Sequence, residues 1–171
     1  MALAEVSVVL TEGHNGVLRA GTLRVPAHLG RGGVRRDKRE GDGATPIGRF
    51  PLRRVFYRPD RLAAPTTILP VSAVTANAGW CDDPTCMDYN RVVALPHPGR
   101  HERLWRDDAL YDLIVVVGYN DNPVEPGLGS AIFMHLARPD GGPTEGCIAL
   151  APGDLLAVLE NCDPDTILAI A

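Results

Sequence analysis

Apolar and polar positions change places over short stretches along this chain, which predicts strands almost throughout. Residues 6–10 and 17–25 read as two strands of a hairpin about the turn Gly13-His14-Asn15-Gly16, whose Asn-Gly pair tolerates positive φ. Residues 29–48, rich in Gly, Arg and Asp, predict a long loop leading into a strand over 49–57. Residues 58–106 carry many Pro and Asp with little periodicity; they predict an irregular insertion with a short strand near 67–71, and loops this long usually serve function. The strongest strand covers 111–119, where Ile114-Val115-Val116-Val117 is continuously apolar, and it should pair with a second apolar run over 130–135. One helix is expected, over 152–160: Pro152 suits its first turn, and Leu155, Leu156, Val158 and Leu159 supply an apolar face. A last strand over 166–170 completes the set. The expected fold is mainly β, a mixed-sheet barrel or sandwich with one packed helix, in a single domain of residues 1–171.

A chain of 171 residues is near the usual single-domain size and buries about two thirds of its unfolded surface. Its 18 Gly and 15 Pro favour turns over long helices. No apolar run reaches the roughly 18 residues a membrane helix needs, so no membrane span is expected. The first ten residues lack a basic region and place Glu5 inside their apolar stretch, which reads as a strand rather than a secretion signal. Charge is uneven: residues 1–61 balance to +6 and residues 62–171 to −10. The basic half reads as a solvated face paired with the acidic half, with a basic lip that attracts an anionic peptide as the alternative. Nucleic-acid binding is not expected, because few aromatics accompany the arginines and the pI is 5.7.

Candidate chemistry is concentrated between His135 and Cys147. The apolar run over 130–134 delivers His135 to the end of a strand, and the turn formers Pro139, Gly141, Gly142 and Pro143 bring the chain back so that Cys147 returns beside it. A free thiol is only a few per cent thiolate at neutral pH, and a neighbouring imidazole supplies the missing base. Gly146 lets the amides of residues 146 and 147 point at an oxyanion. The order, His first and Cys twelve positions later, differs from the papain and caspase arrangements.

Two motifs carry a resemblance. Thr144-Glu145-Gly146-Cys147-Ile148 after His135 looks like the active-site signature of the YkuD-type L,D-transpeptidases. The segment from Lys38 to Phe50, with Thr45-Pro46-Ile47-Gly48-Arg49-Phe50, resembles that family's Thr-Pro-x-Gly-x-Phe stretch. The resemblance implies the L,D-transpeptidase type of mixed-sheet β fold and a cysteine acyl-transferase acting on peptidoglycan stem peptides, inhibited by carbapenems. It implies a part in bacterial peptidoglycan synthesis, cell wall biogenesis and cell shape, in the periplasm or cell envelope. His135, Cys147 and Gly146 are its catalytic set; Tyr119, Arg138, Thr144 and Thr45 are the expected substrate contacts. No metal or organic cofactor is expected, and a monomer is the default. Many relatives carry His before the Gly-Cys pair and an Arg or Asn shortly after it; this chain has Glu145 and Ala149, so a substrate carboxylate needs an arginine from elsewhere, with Arg138, Arg91 or an arginine of the basic N-terminal part as candidates. The same site would serve an L,D-carboxypeptidase or cross-link hydrolase. The contrasting class is a non-catalytic cell-wall-binding or zinc-stabilised module.

That contrasting class rests on Cys81, Cys86, His97 and His101, a Cys-x4-Cys, x10, His-x3-His spacing that resembles a zinc site. Pro84, Pro96 and Pro98 exclude the helix that usually carries such histidines, so a Cys81–Cys86 disulfide in an exported protein, or plain loop residues, is preferred. Cys162 reads as a small buried hydrophobe, His14 and His28 as packing residues, and Trp80 and Trp105 as core anchors rather than a lid.

Overall fold

The computed structural model describes residues 2–171. Strands β1 (Glu5–Glu12), β2 (Asn15–Ala20) and β3 (Leu23–His28) form an antiparallel meander. Two-residue strands β4 (Val34–Arg35) and β5 (Thr45–Pro46) pair in parallel inside the Gly-rich loop, ahead of the long β6 (Gly48–Tyr57). β7 (Val71–Ala73) adds in parallel to β6; β8 (Ala78–Cys81), β9 (Val92–Ala94) and β10 (His101–Arg103) make a separate sheet in the order β10-β8-β9. β11 (Leu113–Val117), β12 (Phe133–Leu136), β13 (Ile148–Leu150), helix α1 (Pro152–Leu159) and β14 (Ile167–Ile170) complete the chain. The main sheet runs β11-β12-β13-β3-β2-β1-β14-β6-β7, and β6 also pairs with β11. All of its strands except β7 therefore lie on a closed ring, which removes the exposed edges an open sheet would present. Parallel pairs β1–β14 and β12–β13 make it a mixed sheet. Of the barrel or sandwich expected, the barrel forms, with one helix among the described residues.

Alternation along the strands sorts the core into two regions. Leu113, Val115 and Val117 of β11 enter the barrel interior with Met134 and Leu136 of β12 and Leu155, Val158 and Leu159 of α1. Ile114 and Val116 face the other way, against Phe133, Trp80, Tyr111 and Cys147 under the small sheet. Both faces of β11 are covered, which is why its sequence is apolar without alternation.

Several boundaries differ from expectation. The first hairpin turns at Gly13, whose φ is 60°, while Asn15 and Gly16 already belong to β2. The single strand expected over 17–25 is broken into β2 and β3 by a turn at Gly21, φ 61°. The run over 111–119 pairs only across Leu113–Val117. Its partner begins at Phe133 because Ala131 adopts φ 54° and gives its amide to Asn90 Oδ1 at 3.0 Å instead of to a neighbouring strand. Residues 58–106 are not irregular throughout: β8, β9 and β10 are three or four residues long, too short to print a period, and the strand expected over 67–71 forms at Val71–Ala73 instead. Three ion pairs join the basic and acidic halves, Arg31–Glu145, Arg53–Asp121 and Arg61–Asp112.

Candidate active site

Alternation on β12 also chooses what reaches the cleft. Met134 and Leu136 point into the barrel, so Phe133 and His135 point outward beneath the small sheet. β13 runs parallel beside β12, with Met134 opposite Ile148 and His135 opposite Ala149, which sets Cys147 at the entry of β13 on the same side. His135 and Cys147 line one cleft of about 560 Å³ with Tyr111, Glu102, Arg106 and Arg138.

Cys147 is held as a neutral thiol. Its Sγ donates to the Ala131 carbonyl at 3.2 Å and accepts from the Phe133 amide at 3.4 Å. Burial, with the negative charge of Glu102 adding to it, pushes the thiol up to about 12, against the pull of the Phe133 amide and Lys38. His135 is held neutral as well. Its Nδ1 lies 2.8 Å from the Leu136 carbonyl, and a carbonyl only accepts, so Nδ1 carries the proton and Nε2 the lone pair. Burial brings the imidazole down to about 4. The site therefore favours thiol and free base over a thiolate–imidazolium pair, and the proton has to move as a bond forms to sulfur.

A buried pair stands beside them. The Tyr111 hydroxyl donates to Glu102 Oε2 at 2.6 Å, and the Tyr111 ring meets the His135 ring edge-on, with centroids 5.2 Å apart. Burial raises Glu102 above the usual carboxylate range and Tyr111 well above that of a phenol. Because the carboxylate repels a thiolate, Glu102→Gln is expected to lower the Cys147 pKa. Alkylation by iodoacetamide at fixed alkaline pH should then quicken roughly threefold for each unit of that fall, since the roughly tenfold gain in thiolate is partly offset by its weaker nucleophilicity. An unchanged rate would mean that burial alone raises the thiol.

The turn that leads into Cys147 is laced to the Gly-rich loop. The Thr144 amide donates to the Leu29 carbonyl at 3.0 Å, and the Thr144 carbonyl accepts from the Arg31 amide at 2.9 Å. Glu145 takes the Arg31 guanidinium. At Gly30 a Cβ would sit 2.2 Å from the Gly43 carbonyl oxygen, and at Gly146, φ 135°, it would sit 2.7 Å from that of Ala44. Only glycine permits the two loops to close on each other there.

Each residue singled out by sequence has a definite place. His135 and Cys147 are brought together on neighbouring strands. The Gly146 amide donates to Thr144 Oγ1 at 3.1 Å, so it is engaged within the turn rather than aimed at an oxyanion, and the Thr144 hydroxyl in turn donates to the Cys147 carbonyl at 2.6 Å. Thr144 lines the cleft but its hydroxyl braces the loop. Thr45 is fully buried and accepts the Gly30 amide at 2.9 Å. Tyr119 lies outside the cleft lining; its hydroxyl donates to the Leu128 carbonyl and its ring stands edge-on to Phe50. Arg138 lines the cleft beside Asp140, whereas Arg91 does not line it. Trp80 packs on Phe133 and Trp105 lies under the Arg58 guanidinium, both as anchors.

Sequence reasoning missed Lys38, Asp82, Arg100, Glu102, Arg106 and Tyr111, all on the cleft wall. The concentration of charged residues in the long segment over 58–106 was the available signal for Asp82, Arg100, Glu102 and Arg106; Lys38 and Tyr111 lie outside it.

Residues 5–170 match the YkuD family, described as the L,D-transpeptidase catalytic domain. Among solved structures the chain is similar to the crystal structure of Mycobacterium tuberculosis L,D-transpeptidase 1, at 14% identity and a TM-score of 0.42, over 97% of this chain and 58% of that one. This chain therefore spans less than two thirds of the length of that relative. No curated protein matches it.

Proposed function

Because this chain belongs to the YkuD family of L,D-transpeptidase catalytic domains, we propose that it is a cysteine acyl-transferase acting on peptidoglycan stem peptides through Cys147 and His135. One observation carries the reading: Leu136 fixes the His135 tautomer with Nε2 as a free base, in the same cleft as the Cys147 thiol. Sγ attacks the amide carbonyl after the diaminopimelate while its proton passes to Nε2, and the carbon–sulfur bond forms. The Cys147 amide is the donor proposed for the oxyanion, since the Gly146 amide is occupied by Thr144. The carbon–nitrogen bond then breaks, the leaving D-residue takes the proton from His135, and a thioester remains. An amine completes transpeptidation; water would complete hydrolysis.

Arg138 and Arg106 are proposed to meet the substrate carboxylate, taking the place of the residue missing at Ala149. The test is incubation with diaminopimelate-type tetrapeptide muropeptides, with and without an acceptor amine, followed by mass spectrometry. Dimers with a 3,3 linkage or exchanged D-amino acids are expected. Tripeptides alone would replace the reading by an L,D-carboxypeptidase, and no product at all would remove the cell-wall substrate.

A further inference from the structure

The small sheet beside the cleft holds a second cluster that the acyl-transfer chemistry does not use. Cys81 ends β8, Cys86 follows in the next turn, and His97 lies in the loop between β9 and β10. One Sγ from each cysteine and one ring nitrogen of His97 fall within 4.8 Å of one another. His97 Nε2 is 3.9 Å from Cys86 Sγ and 3.1 Å from Asp88 Oδ2. With metal–ligand bonds of about 2.0 Å to nitrogen or oxygen and about 2.3 Å to sulfur, neighbouring ligands of a tetrahedral ion stand roughly 3.3 to 3.8 Å apart, close to this spread. We propose that Cys81, Cys86 and His97 bind one zinc ion, with Asp88, which touches His97 but lies outside that close group, turning in as the fourth ligand, and that the ion clamps the small sheet that forms one wall of the cleft.

The backbone builds the cluster without the helix that its prolines forbid. Cys81 exchanges hydrogen bonds with the far end of its loop: its amide donates to Arg91 and its carbonyl accepts from Asn90, each at 2.9 Å. The Cys86 amide donates to the Asp83 carbonyl at 3.0 Å, and Asp83 Oδ1 caps Thr85 at both its amide and its hydroxyl. The turn that presents Cys86 is thereby set. Gly99 allows the His97 loop to close over it, since a Cβ there would stand 3.1 Å from the imidazole and 3.2 Å from Cys86 Sγ. Without metal, His97 Nδ1 accepts from the Gly99 amide at 3.1 Å and Nε2–H faces Asp88. Metal at Nε2 moves the proton to Nδ1; the Gly99 amide, now 3.1 Å from that nitrogen, then has to turn away so that the Gly99 carbonyl, at 3.4 Å, accepts the proton as the outer-shell contact a ligating histidine needs. Two thiolates with an imidazole and a carboxylate suit zinc over magnesium or calcium. On binding, the two thiols release their protons to solvent and form two sulfur–metal bonds.

The clamp has a purpose in this fold. Asp82 and Arg100, paired with each other at 3.0 Å, and Glu102 all line the cleft, and they lie one residue beyond Cys81 and three and five beyond His97. The inference stands apart from the acyl-transfer reading, because its test does not use turnover.

The experiment is a titration of the full-length, fully reduced protein with cobalt and then zinc. Expected are thiolate-to-cobalt charge-transfer and tetrahedral d–d bands that saturate at one ion per chain, displaced by one equivalent of zinc. The melting temperature should rise by roughly 5 to 10 °C at a free zinc concentration a hundredfold above Kd. Cys86→Ser and His97→Gln, both on the loops rather than in the buried strand, should fold by circular dichroism and lose the bands. Asp88→Ala should weaken binding about 10- to 100-fold while keeping them. Absence of saturable bands in the reduced protein, or bands that persist in Cys86→Ser, would overturn the site. An intact mass two protons lighter, with no metal uptake after reduction, would assign the cysteines to a disulfide instead.

Discussion

Cys147→Ser is expected to lose covalent labelling by a carbapenem, with the acylation rate falling on the order of 10³-fold or more, as removal of a catalytic nucleophile does elsewhere. The parent protein should gain one drug mass by intact-mass spectrometry. The resting thiol, pushed up to about 12, adds a second signature. Iodoacetamide needs a thiolate already formed and should react slowly. A carbapenem offers a carbonyl whose developing charge the site can stabilise as the proton leaves, and should react much faster. Labelling that survives in the variant, or that maps to Cys81 or Cys86, would place the nucleophile elsewhere.

The second large effect is at the base. His135→Gln is expected to slow acylation by about 10² to 10⁴, the usual contribution of a positioned proton-transfer group, with the fold intact by circular dichroism. Stability should also change its dependence on pH. The unfolded chain takes up a proton at this histidine as pH falls through 6.5, whereas the folded imidazole waits until about 4. The His135 contribution is fully present above 6.5 and is lost as pH falls to 4, at about 1.4 kcal/mol per unit, or roughly 3 kcal/mol in all. Denaturant melts across that window should be steeper in pH for the parent than for His135→Gln. Parallel curves and a parental acylation rate would leave His135 as a packed strand residue.

The meeting of His135 and Cys147 in one cleft was legible because it is local. A histidine ending an apolar run, a Gly/Pro turn and a Gly-Cys pair are neighbours along the chain, and a parallel strand pair joined by a tight loop has few ways to separate them. The helix was legible for the same reason, since Pro152 and the leucines after it satisfy start and face within eight residues. Roles set by long-range contacts were not. Thr45 reads as a cleft residue in the motif, yet its hydroxyl is taken by the Gly30 amide fifteen positions away.

The sequence by itself therefore determined the mainly β class, the single helix and the return of Cys147 to the cleft that His135 lines, each a matter of periodicity or of spacing within a turn. The tertiary structure alone decided the ring closure through β6 and β11, the Glu102–Tyr111 pair beside the thiol and the meeting of Cys81, Cys86 and His97. These join residues whose partners lie on other strands and loops, and the physical reason is common to all of them: short strands and loops carry no period, so only the closed barrel and the small sheet docked on it fix which side chains meet.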